Sequence, residues 1–227
     1  MRQIFVTRIA RWIWITALCT SVAAPAAAAN ADLERLLKGV ENRYNRARTI
    51  QVQFEQTYTV PGRGKRTERG ELSLRKPGRM RWDYRSPAGK LFISDGKDAY
   101  FYSPTAHRVE KMKLKETDDM RAPLAFLLGR LNFQRDFGRF ETRTEGSETV
   151  IVAMPKSDKL PYRHVEFSVT PDHQIMRLVV TGQDQSIIEF RFTGEKVNPV
   201  LSDNLFRFQM PPNVEYIDAT ESELGGN

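Results

Sequence analysis

The 227 residues are enough for one domain with a full hydrophobic core. With 35 Lys and Arg against 28 Asp and Glu, the chain is basic and suits acidic partners or lipid headgroups. Its single cysteine excludes an intrachain disulfide framework.

Residues 1–29 read as a secretory leader, and 30–227 as one domain. Arg2, Arg8 and Arg11 form a positive start, and an apolar run from Trp12 to about Val22 follows. Ala27, Ala28 and Ala29 then offer the small residues of a cleavage site. The run is too short to cross a bilayer as a permanent helix. Cys19 lies inside it, after Leu18, and so belongs to the leader rather than to a lipid-bearing first residue. Taking the three leader arginines from the formal net charge of +7 leaves +4.

The first element after the leader is a helix. Leu33, Leu36, Leu37, Val40 and Tyr44 recur at helical spacing, with Asn30 or Asp32 placed to cap the start. After Thr49 the period falls to two. Ile50, Val52, Phe54, Tyr58 and Val60 alternate with polar residues, which predicts a half-buried antiparallel strand. Turns follow at Pro61 to Gly64 and at Pro77-Gly78, flanking a strand with Leu72 and Leu74. Met80, Trp82 and Tyr84 form the next apolar face. Leu91 and Ile93 precede the turn at Ser94 to Lys97, and Tyr100 and Tyr102 come after it. Met112 and Leu114 carry another strand, on which Lys111, Lys113 and Lys115 read as edge protection against aggregation. Later strands carry Val150, Val152 and Met154; Val165, Phe167 and Val169; Met176, Leu178 and Val180; and Ile188, Phe190 and Phe192. About eleven strands with short turns predict an α+β, mainly β fold: one large antiparallel sheet or an incomplete barrel.

One segment interrupts the strands. Pro123 suits a first helical turn, Asp118 and Asp119 suit the positive end of its dipole, and Leu124, Leu127, Leu128 and Leu131 share a face. This helix and the first one must cover the apolar side of the sheet.

Catalytic patterns are missing. His107, His164 and His173 lack metal-pair spacing, and there is no G-x-S-x-G, H-E-x-x-H or P-loop. The reading is of a protein with no enzymatic activity, cofactor or metal. The export signal argues against a nucleic-acid partner for the arginines.

The order of features is similar to a known family. The matching stretches are the opening amphipathic helix, Val52 to Gln56, Gly70 to Pro77, and Met80 to Tyr84. Further matches are Ser94 to Lys97, Tyr100 to Pro104, Pro123 to Leu128 and Phe206 to Val214. Together they resemble the LolA family of periplasmic outer-membrane lipoprotein carriers. The resemblance implies an unclosed antiparallel β-barrel with an α-helical lid over an apolar cavity. It also implies a monomeric periplasmic chaperone for acylated lipoproteins, served by an inner-membrane ABC transporter and an outer-membrane lipoprotein receptor. Alternatives on the same fold are the receptor itself, which requires a lipidated Cys19, and an envelope lipid-binding or stress-sensing protein. In the family, an arginine important for cargo handover precedes the proline of the third-strand turn. Here that position is Lys76, which lacks the planar fork of arginine.

A sixteen-carbon chain exposed to water costs on the order of 12 kcal/mol, at about 0.8 kcal/mol per methylene. A carrier must offset much of this with plastic apolar area. The residues suited to line such a cavity are Phe54, Leu72, Leu74, Met80, Trp82, Tyr84, Leu91, Ile93, Tyr100 and Tyr102. Leu124, Leu127 and Leu128 suit the lid. Arg75, Lys76, Arg79 and Arg81, within a basic stretch from Arg63 onward, read either as a solvated outer face or as a dock for an acidic partner and cargo handover.

Overall fold

The computed structural model describes residues 24–114 and 131–221. Helix α1 (Ala24–Arg46) is followed by β1 (Thr49–Val60), β2 (Gly64–Arg75), β3 (Arg79–Ser86), β4 (Ala88–Asp95), β5 (Asp98–Ser103) and β6 (Arg108–Lys113). A single-turn helix α2 (Phe133–Asp136) leads into β7 (Phe137–Glu145), β8 (Glu148–Pro155), β9 (Tyr162–Val169), β10 (Ile175–Gly182) and β11 (Ile187–Val197). A 3-10 turn (Asp203–Phe206), β12 (Glu215–Asp218) and a last 3-10 turn (Ala219–Glu221) complete the described chain.

All twelve strands join one sheet in the order β12-β6-β5-β4-β3-β2-β1-β11-β10-β9-β8-β7. β7 and β12 do not pair with each other, so the barrel is unclosed. Eleven strands pair antiparallel in succession, and β12 alone adds in parallel, to β6.

Two strands escape the period-two reading. β7 is largely polar and exposed, and β12 has only four residues. β12 also overturns the edge-protection reading of Lys111. β6 is not an edge, and Lys111 bridges Asp98 at 3.5 Å and Asp218 at 3.3 Å.

The long β1–β2 hairpin is central. Its twelve paired positions present Ile50, Val52 and Phe54 beside Leu74, Leu72 and Gly70. A Cβ on Gly70 would clash with the Asp83 carbonyl and lie 2.9 Å from the Phe54 ring. Glycine therefore allows the close approach of β2 to β3, at a point where their register slips.

α1 packs on the apolar face of this sheet through the expected stripe. Leu37, Val40 and Tyr44 are buried, and Leu33 and Leu36 flank them. The helix starts earlier than the expected cap. It is continuous from Ala24 because Ala26 to Ala29 are strong helix formers, so Asn30 and Asp32 lie within it. Gly39 is its notch: a Cβ there would clash with the His173 ring in the β9–β10 turn.

Candidate functional site

Opposed residues on paired strands point to the same face, and neighbours along a strand point to opposite faces. One inner row runs through Val52, Leu72, Trp82, Phe92 and Phe101 from β1 to β5. A second runs through Ile50, Leu74, Met80, Ser94, Ala99 and Met112. Across β1 the face continues through Phe192, Phe190 and Ile188, then Leu178 and Val180, Phe167 and Val165, and Ile151 and Ala153. Phe54 meets Trp82 and Tyr84 edge-on at 4.8 and 5.2 Å between ring centroids.

Phe54, Leu72, Leu74, Met80, Trp82 and Tyr84 all lie on this inner face and are buried. Leu91, Ile93, Tyr100 and Tyr102 do not lie there. They belong to outer rows: Ser73, Arg81, Ile93, Tyr100 and Lys111; and Glu71, Asp83, Leu91, Tyr102 and Val109. Phe92, Ala99 and Phe101 take their expected places. The cause is local. Leu91-Phe92-Ile93 and Tyr100-Phe101-Tyr102 are apolar in both phases, and a shift of one residue exchanges the faces. Only pairing to β3, whose alternation is unambiguous, chooses between them.

The outer row through Arg81 and Tyr100 meets the segment after β11. Tyr100 stacks on Phe208, with centroids 4.9 Å apart and planes 2° apart. Arg75 binds the Asp203 carboxylate and the Leu201 carbonyl, with its guanidinium 5.4 Å from the Phe206 ring centroid. Arg79 lies 3.5 Å from Asp203, and Arg81 donates to the Leu205 carbonyl at 3.4 Å. All three arginines thus reach the protein's own strap, Arg75 most fully, while Arg81 also binds Asp83 at 2.7 Å. Lys76 turns the other way. Its ammonium donates to the Tyr44 carbonyl in the last turn of α1, and burial lowers its pKa. Leu124, Leu127 and Leu128 lie outside the described residues.

The polar clasp of α1 is not visible in the sequence pattern. Tyr44, expected there only as core, donates from its hydroxyl to Glu195 at 2.8 Å and accepts from the Ile175 N–H at 2.9 Å. Burial, and then the Glu195 carboxylate, push the pKa of this hydroxyl upward. Arg43 binds the same carboxylate at 2.6 Å. Asn45 exchanges two hydrogen bonds with the backbone of Leu131, at 2.8 and 2.7 Å, and buried Glu41 accepts from the Phe133 N–H at 2.9 Å. The signal was faint: Glu41, Tyr44 and Asn45 share the margin of the apolar stripe at helical spacing.

Between α1 and the sheet lies an apolar cavity of about 20 Å³, bounded by Tyr44, Val52, Leu72, Phe167, Leu178 and Phe192. That is room for about one water, against roughly 300–1,000 Å³ for a typical ligand pocket. Among the described residues, α1 therefore leaves little free space against this part of the sheet.

Residues 45–209 match the family model described as outer membrane lipoprotein carrier protein LolA. The chain is 27% identical over 209 residues to an outer-membrane lipoprotein carrier protein of Pectobacterium atrosepticum, covering 92% of this chain and 98% of that one. It is 28% identical to the protein of the same description from Proteus mirabilis, covering 79% and 86%. An uncharacterized conserved protein from Thermus thermophilus superposes with a TM-score of 0.51 at 11% identity, covering 82% of this chain and 99% of that one. This last likeness concerns the fold alone.

Proposed function

The chain belongs to the LolA family of outer membrane lipoprotein carrier proteins, and from that premise we propose how it performs the carrier role. It takes up the acyl chains of lipoproteins on the inner face of the half-barrel, keeps them from water, and surrenders them at the outer membrane. The observation that carries this reading is the inner face itself. It is a continuous apolar and aromatic surface across ten strands, on which a helix packs through an apolar stripe and is further held at its margin by hydrogen bonds. Such a cover can be lifted. Its polar contacts can be re-made with water, at a net cost of about 1 kcal/mol each, and the acyl chain then replaces the apolar contacts that α1 gives up.

The protein acts in the periplasm after removal of residues 1–29. It receives cargo from an inner-membrane ABC transporter and delivers it to an outer-membrane receptor. It needs no nucleotide site of its own, because release follows when the receptor offers a better apolar surface. Lys76 belongs to the mechanism as a tie on the end of α1.

The test is release of a labelled lipoprotein from spheroplasts by the protein comprising residues 30–227. A water-soluble one-to-one complex is the expected result. Failure of release beside a demonstrably active transporter would remove the carrier reading.

A further inference from the structure

The inner face changes character along β1 and β2. From Ile50 through Val52 and Phe54 it is apolar, and six residues from Ile50, about 20 Å of strand, it reaches Gln56. Opposite Gln56 on β2 is Glu68, only 3% exposed. Its carboxylate binds the Lys90 ammonium at 2.6 Å through one oxygen and lies 3.3 Å from the exposed Arg66 guanidinium through the other, and the Lys90 ammonium lies 4.3 Å from the Tyr84 ring centroid and 5.5 Å from that of Phe101. Tyr84 bonds the Gln56 amide at 3.3 Å.

Two features mark this group as more than packing. A buried ion pair gains little over apolar residues of the same shape, because desolvation offsets its attraction. Gln56 is only 7% exposed, yet one end of its amide meets no partner among the described residues, whichever way the amide is turned. A buried donor left over at the end of an apolar track is poised for an incoming carbonyl oxygen.

We propose that Gln56, Glu68, Tyr84 and Lys90 form a subsite for the polar end of an acyl group, the amide or ester linkage at which a long alkyl chain stops. The alkyl chain lies along Ile50, Val52 and Phe54. The Gln56 amide donates to the carbonyl oxygen, Lys90 donates to a second carbonyl, and Glu68 accepts from an amide N–H. The subsite recognises where a chain ends, so it distinguishes acylated cargo from plain hydrocarbon. It rests on the carrier reading, and its test separates the two.

The test compares N-palmitoylglycinamide with hexadecane as competitors against a fluorescent apolar dye bound to the protein. The wild-type protein binds the amide more tightly. Gln56→Leu, which disturbs no charge, weakens amide binding about ten-fold, as expected for one buried hydrogen bond, and leaves hexadecane binding unchanged. The double variant Glu68→Gln/Lys90→Met, which leaves no lone buried charge, does the same. Circular dichroism and thermal melting verify that both variants fold. An undiminished preference for the amide in either folded variant overturns the subsite, as does equal binding of the two ligands by wild type. Binding of neither ligand by wild type removes the carrier reading along with the subsite.

Discussion

Tyr44 joins α1 to the sheet at a single oxygen, which donates to Glu195 and accepts from the Ile175 N–H. Tyr44→Phe keeps the ring and strands that N–H in an apolar surround. The expected loss is about 1–3 kcal/mol in urea unfolding, with faster amide exchange at Ile175. Asp218 provides a pH-sensitive counterpart at the far edge of the sheet. Hydrogen bonds from the Thr220 hydroxyl and then its N–H, with Tyr216 and Lys111, hold its pKa at about 2, below the ordinary 3.8. Because the folded value is the lower one, the support it gives β12 is full above about pH 4 and fades as the pH falls toward 2. NMR shifts of the β12 amides should show that acid step in wild type and lose it in Asp218→Asn.

At the scale of elements, β4 and β5 have two apolar faces with different duties. Phe92 and Phe101 lie on the inner face, whereas Ile93 and Tyr100 lie on the outer one, where Tyr100 stacks on Phe208 in the strap. Phe101→Ala should therefore weaken binding of a fluorescent acyl probe several-fold. Tyr100→Ala should leave probe binding alone and raise protease sensitivity near residues 203–208. The reverse pattern would show that the register argument assigns the faces wrongly. Helix α1 is likewise fastened to the chain entering α2, since Asn45 and Glu41 grip the backbone at Leu131 and Phe133. Asn45→Ala removes two bonds and should speed amide exchange at Leu131 before it affects the sheet.

For the whole molecule, the cavity of about 20 Å³ is the governing fact. Among the described residues, the space between α1 and the sheet is too small for an acyl chain, so uptake at that place requires α1 to move. A cysteine pair that locks α1 to β10 should abolish acyl binding, and reduction should restore it. Unchanged binding in the locked form would place entry elsewhere. Ligand bound only by the folded state should also raise the melting temperature, by about 2.7 kcal/mol of stabilisation at a hundred times the dissociation constant.

The helix stripe from Leu33 to Tyr44 and the inner phases of β1, β2, β3, β9 and β11 could be read from sequence. Each has apolar residues at one period and polar residues between them, so only one face can be buried. The family could be read as well, because its short motifs keep their order. Three things belonged to tertiary structure. The faces of β4, β5 and β8 depend on pairing with their neighbours, since their own residues are apolar in both phases: Ile151 and Ala153, not Val150 and Val152, face inward on β8. The strap groups that Arg75, Arg79 and Arg81 reach lie more than a hundred residues away, in a segment without periodicity. The clasp at Tyr44 and the polar end of the inner face arise where distant strands bring Glu195 to α1 and Lys90 to Glu68, and long-range pairing of single polar side chains leaves no repeat for a sequence to display.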